Sequence, residues 1–260
     1  MTPRVPILLY HEILPTERCA SSGGLGVSVD QFREDMERLS ADGWRCLAAE
    51  EAAELALAGR KSARCFALTF DDGFRDFAEL AHPVLRRLGF TATVFVVTDR
   101  IGGRADWTGA AGRPLLSADE IHLLARDGIE FGSHSRTHER LPDCSGPRLL
   151  DELRGSRESL SEIVGREVGS IAWPYGESDG RTRRAAGQVG YRLGFGVAGG
   201  GPLLQRVRAA LRPSARDRFA VARREVRGED GLLRRRVRMG AADGVFVSAR
   251  KLAAFAGRKP

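Results

Sequence analysis

Histidine is scarce in this chain, with five among 260 residues, and cysteine scarcer, with four: Cys19, Cys46, Cys65 and Cys144. None of the four falls in a Cys-x-x-Cys pair, so there is no thiolate zinc module to read, and the spacing in a chain this long marks ordinary reduced thiols. Long hydrophobic runs are missing too. The apolar start Val5–Tyr10 is interrupted by Pro6 and is too short for the core of a signal peptide, and no later segment could span a bilayer. The expectation is a soluble, cytoplasmic protein. Internal repeats and low-complexity linkers are absent before about residue 199, which argues against a solenoid or a string of tethered modules.

What is present suffices for a core. Hydrophobic residues make up 42% and charged residues 29%, at a length that suits one large α/β barrel or two small domains. Net charge is +7, unevenly spread. Leu204–Pro260 holds 16 Lys+Arg against 5 Asp+Glu, which is +11, leaving 7 − 11 = −4 for residues 1–203. A run of this kind usually marks a solvated surface. Its arginines would also suit anionic lipid, a phosphorylated glycan carrier or nucleic acid. With only Phe219, Phe246 and Phe255 to stack on bases, nucleic acid is not expected as a partner.

Short apolar runs alternate with longer amphipathic stretches, as in repeated strand–helix units. Strands are predicted at Val5–Tyr10, Cys65–Phe70, Thr91–Val97, Ile129–Gly132, Ser170–Trp173 and Gly190–Val197. Between them, helices are predicted from an Asp30 cap to Gly43, then over Glu50–Ala58, Ala78–Leu88, Ser117–Asp127, Arg148–Val164 and Arg181–Val189. Ser117 with Glu120 has the capping-box spacing. Gly199-Gly200-Gly201-Pro202 is the one obvious break. The order favours an α/β fold, a distorted (β/α) barrel of about seven parallel strands in one domain. Residues 1–203 would form the barrel, and the arginine-rich segment 204–260 would partly complete it. In such a barrel the loops at strand C-termini hold the active site.

The chemistry-bearing residues all follow predicted strands. Asp71 and Asp72 leave a hydrophobic strand together in Thr69-Phe70-Asp71-Asp72-Gly73. Adjacent carboxylates raise one another's pKa, a cost that makes sense if one binds a cation and the other acts as a base; alone, Asp-Gly is also a common turn. His134 and His138, two of the five histidines, stand four apart, a spacing that puts both on one face of a helical turn where they could share a divalent metal or simply lie on the surface. A carboxylate would complete a three-ligand site open to water and substrate. Ile171-Ala172-Trp173-Pro174-Tyr175-Gly176 has the form of a strand exit whose backbone can approach a ligand. His11, after the first strand, is a candidate acid or base if that strand end faces the same cavity. Trp107 and Trp173 lie in segments that could form cavity loops or core.

In this order and spacing, TFDDG, HSRTH and AWPYG resemble the polysaccharide deacetylase family, the chitin-deacetylase-like carbohydrate esterases that share the nodulation-deacetylase homology domain. VPILLYHEI and FALTFDDGFRDFAELAHPVLRRLGFTATVFVV are similar to the branch containing the biofilm poly-N-acetylglucosamine deacetylases, over roughly residues 5–198. The resemblance implies a hydrolase that removes the N-acetyl group of an amino sugar or N-acetylated glycan and releases acetate. Asp72, His134 and His138 would hold one divalent metal, zinc by default, with cobalt, nickel or iron(II) fitting the same donors. Asp71 would be the general base and Tyr175 would supply a backbone N–H to the oxyanion. In the biofilm branch the acid histidine comes from the N-terminal YH segment, which here gives His11, and no histidine follows His138 to supply the C-terminal acid of the common pattern. The third motif carries Ala172 where the family commonly has the arginine that orients the base, and Arg223 in FAVARREV is the candidate replacement.

Two other readings compete. A deacylase or deformylase acting on a lipid-linked or soluble biosynthetic sugar intermediate would use the same centre, with the basic segment 204–260 meeting an anionic lipid or carrier. A non-catalytic glycan-binding module on a decayed fold would need no such complete set of candidate ligands, and Ala172 is its sole support.

Overall fold

The computed structural model describes residues 5–17, 25–60, 64–108, 112–198 and 217–228. Seven parallel strands form a closed ring: β1 (Ile7–Tyr10), β2 (Cys65–Phe70), β3 (Thr93–Val96), β4 (Glu130–Ser133), β5 (Ser170–Ala172), β6 (Leu193–Val197) and β7 (Val221–Glu225). They follow one another in chain order around the barrel, and β1 pairs with both β2 and β7 to close it. An extra short strand, Arg45–Leu47, pairs with the first half of β2, where β3 does not reach. The closing strand β7 comes from the arginine-rich segment. The Gly199–Pro202 break, the rest of that segment and Cys19 lie outside the described residues.

Two cores result from the alternation of side chains along these strands. The inner one packs Ile7, Ala67, Phe95, Ala172, Leu193 and Phe195, and is plugged from below by the alanine face of α2 (Ala49–Leu57). The outer one sets Leu8, Tyr10, Phe70, Val94, Phe131 and Ile171 against the surrounding helices. Small residues allow the tight radius. At Gly132 an added Cβ would stand 2.4 Å from a ring carbon of Phe95, so only glycine lets β4 pass that ring.

Several element ends differ from the sequence reading. Helix α1 (Val29–Ala41) is capped by Ser28, whose Oγ accepts the Gln31 N–H at 3.2 Å, rather than by Asp30, whose carboxylate is engaged by Thr16 and Arg33. The predicted helix 78–88 is two pieces, a wider π turn over Phe77–Ala81 and then α3 (His82–Leu88). Helix α4 (Ala118–Arg126) has the Ser117–Glu120 capping box. Helix α5 (Gly146–Val164) starts two residues early because Ser145 caps it and Pro147 tolerates the first turn. Helix α6 spans Gly180–Gln188. Cys46, Cys65 and Cys144 form no disulfide among the described residues, and no described helix is long and apolar enough to cross a membrane.

Candidate active site

Asp71 and Asp72 emerge from the end of β2. Asp71 donates its backbone N–H to Tyr10 O at 3.0 Å, which ties the carboxylate loop to the end of β1. Its side chain turns inward, is almost fully buried, and meets the guanidinium of Arg223 in a two-pronged pair, 2.6 and 2.7 Å. Arg223 rises from β7, is itself fully buried, and lies over the Phe95 ring at 5.2 Å. Burial alone would push the Asp71 carboxyl up, but the charge and the paired hydrogen bonds of Arg223 outweigh it and hold the group below the usual range. A fork matched to a carboxylate also fixes which way its oxygens face.

Asp72 points the other way, with φ +70, a left-handed conformation followed by Gly73 at φ +75. Its Oδ1 lies 3.5 Å from His134 Nε2 and 3.3 Å from His138 Nε2. One donor atom from each of the three residues lies within 4.8 Å of the others, and all three side chains are buried. His134 follows β4, and its Nδ1 donates to Ala172 O at 2.9 Å, so a neutral ring carries its lone pair on Nε2, facing Asp72. Burial, first of several causes, lowers His134 to about 4 and keeps it neutral. Burial raises Asp72, but the hydrogen bond from His138, first among the opposing causes, overcomes it and brings the carboxyl to about 2. Imidazole lone pair and carboxylate oxygen aimed at one point repel each other unless a cation lies between them. The donor set therefore fits a divalent metal.

The loop from His134 to His138 is not the helical turn that the four-residue spacing predicts. Ser135 and His138 have φ +65 and +68, and the two rings meet because the loop folds back. Ser133 Oγ accepts the Ser135 N–H, and Ser135 Oγ accepts the His138 N–H, each at 3.1 Å. Beneath it, fully buried Glu152 of α5 accepts the Arg136 and Thr137 N–H groups, both at 2.9 Å. Sequence reasoning missed Glu152, although a charge between Leu149 and Leu153 on a buried helix face was a visible signal. Four of the five non-glycine residues with positive φ among those described belong to this centre: Asp72, Ser135, His138 and Tyr175. Backbone held in such conformations tends to gather where geometry is needed for function.

The remaining predicted residues surround the same open cleft of about 1000 Å³. His11 stands at the end of β1 on its wall. Tyr175, at φ +61 in the turn after β5, is 47% exposed with its ring under Arg140. Trp107 also lines the cleft, whereas Trp173 is core: it is 1% exposed and its Nε1 donates to Phe219 O at 3.1 Å. Glu12, Asp76 and Arg113 were not read from the sequence as a group. Arg113 reaches Glu12 at 3.3 Å and Asp76 at 3.4 Å, placing one cation between two enclosed carboxylates. Burial, aided by Glu12, raises Asp76 to about 8 despite Arg113. A carboxyl raised in the folded state contributes stability below its unfolded pKa that is lost as pH rises through the folded value. Asp76→Asn should therefore be neutral near pH 4 and stabilising at pH 8 and above. Melting temperatures measured across that range read it; a gain confined to acid pH would show that the carboxyl is ionised.

The polysaccharide deacetylase family pattern matches residues 58–194, just over half of the chain. YxkH of Bacillus subtilis, a protein named for the same family, is 26% identical over 249 residues, covering 95% of this chain and 77% of YxkH. The poly-β-1,6-N-acetyl-D-glucosamine N-deacetylase of Staphylococcus epidermidis is 24% identical over 178 residues, 65% of this chain and 60% of that enzyme. The deacetylase PplD of Streptococcus pyogenes, solved with acetate, shares the fold at a TM-score of 0.71 with 24% identity, over 90% of this chain and 98% of its own. With a matching pattern that contains both the aspartate pair and the histidine pair, the chain belongs to the polysaccharide deacetylase family.

Proposed function

We propose that the protein is a metal-dependent carbohydrate N-deacetylase, hydrolysing the N-acetyl group of an amino sugar within a glycan to a free amine and acetate. The observation that carries this reading is the convergence of Asp72, His134 and His138 donor atoms within 4.8 Å, beside an Asp71 clamped by buried Arg223. The N-acetylglucosamine polymer named for the staphylococcal relative supports the substrate class.

Asp72, His134 and His138 would hold the metal, zinc first among the candidates. A bound divalent ion supplies a Lewis acid that eases ionisation of water and polarises the acyl oxygen. Asp71 takes the proton from the attacking water. Its depressed pKa keeps it ionised and ready, and the Arg223 fork stops it from swinging toward Asp72. The Tyr175 backbone N–H, in the left-handed turn after β5, serves as donor to the developing oxyanion, a contribution typically worth about 3–4 kcal/mol. His11, at the end of β1 on the cleft wall, gives a proton to the departing sugar nitrogen. Without that proton the amine is a worse leaving group than the water just added.

The test is acetate release from N-acetylglucosamine oligomers by metal-stripped protein, with and without added zinc or cobalt. Release is expected only with metal. Equal release in its absence would remove the metal from the reaction.

A further inference from the structure

The two histidines of the candidate metal centre are held by different means. His134 is oriented by donation from Nδ1 to Ala172 O at 2.9 Å. His138 Nδ1 is buried and has no hydrogen-bond partner among the described residues. Imidazoles in metal sites nearly always use the second nitrogen for such a contact, which sets ring orientation. Around His138 there are aromatic rings instead. Trp107 lies flat on it, with centroids 4.4 Å apart and planes 16° from parallel, and Tyr175 packs against it at 4.8 Å and 54°.

We propose that Trp107 is the positioning residue for His138, its indole face replacing the absent hydrogen bond and keeping Nε2 turned toward Asp72. The inference rests on the reading of Asp72, His134 and His138 as metal ligands. The Cβ–Cγ torsion of histidine is broad, so an unbonded ring would sweep through a wide arc. A flat surface at stacking distance blocks that sweep, because rotation drives the ring edge into the indole. The surface must itself be fixed, and it is. Trp107 sits in a short turn, Asp106–Thr108, pinned by Arg100 to Asp106 at 2.8 Å and by Thr108 Oγ to Ala105 O at 2.8 Å. It packs on Phe74, Ala105 and Leu115, and the strand Arg113–Pro114, paired antiparallel with Arg104–Ala105, is anchored through Arg113 to Glu12 and Asp76. Trp107 also forms part of the cleft wall. One side chain thus bears on both metal affinity and the shape of the cleft.

Competitive titration of cobalt(II) against a chromophoric chelator, using the metal-stripped full chain, tests this. Trp107→Phe keeps a flat ring. Trp107→Leu keeps apolar contact with Phe74 and Leu115 but offers no face. Trp107→Phe is expected to bind cobalt within about threefold of the parent, and Trp107→Leu about tenfold more weakly, with an altered visible cobalt band. Melting curves of both variants separate loss of the site from loss of the fold, and rescue by phenylalanine separates stacking from simple bulk. Trp107→Leu binding as tightly as the parent, with an unchanged band, would overturn the proposal while leaving the metal site intact. A parent that takes up no cobalt would overturn the metal reading itself, and this proposal with it.

Discussion

Replacing Asp71 with asparagine is expected to reduce acetate release by about 10²–10⁴-fold, the range for loss of a general base, while one metal ion still binds. The two effects separate because the proposed mechanism gives the neighbouring carboxylates different work. Asp72 points at the histidines and Asp71 at Arg223, so the substitution removes the proton acceptor without removing a ligand. Amide attack by water needs a place for the proton; Asp71 is adjacent to Asp72 and held by a two-pronged arginine, whereas Glu12 on the cleft wall meets Arg113 at 3.3 Å. The assay is acetate release at saturating zinc together with metal content. Unaltered release in Asp71→Asn would assign the base role elsewhere; loss of metal as well would mean that both aspartates are ligands.

The second large effect concerns stability. Arg223→Met should destabilise the protein by about 3–5 kcal/mol near neutral pH, because it leaves the Asp71 charge buried without its partner. In the parent, the Asp71 pKa is depressed, so its contribution is present above the unfolded value and lost as pH falls through the folded one. Without Arg223 the burial that ordinarily raises the carboxyl is less opposed, and the dependence reverses: the variant loses stability as pH rises. Adding Asp71→Asn to Arg223→Met should recover most of the loss, since neither charge then remains. Urea midpoints at pH 4 and pH 7 for the four proteins of this cycle give the answer. Strictly additive losses would mean that the pair is not coupled.

Much of this was legible in the residues because strand runs and the motifs that follow them are contiguous. CFALTF reads as a buried strand, and it is β2 to the residue; the seven-stranded parallel barrel follows from the repeat of such runs. Asp71, Asp72, His134, His138, His11 and Tyr175 each stand just after a strand, where a barrel brings them together. Arg223 needed more: it lies in β7, beyond a stretch without clear periodicity, and only ring closure places it beneath Asp71. What could not be read depends on backbone conformation rather than on pattern. A histidine pair four apart suggests a helix, but Ser135 and His138 take left-handed conformations that a sequence does not declare, held by the buried Glu152. Trp107 lay in a segment without period, and its stacking on His138 is a tertiary event. Trp173 shows the converse: beside a motif, yet buried, with its N–H committed to Phe219. At the start of α1 the pattern suggested Asp30 as the cap, but Ser28 takes that place and the Asp30 carboxylate is engaged by Thr16 and Arg33.

The most direct measurement of the central claim is a titration of zinc into the metal-stripped protein, following acetate release from an N-acetylglucosamine oligomer at each addition. Release should rise from background and break at one equivalent per chain, and Asp72→Asn should stay at background throughout. Full release before any zinc is added, or a parent and an Asp72→Asn variant that respond alike, would contradict the account.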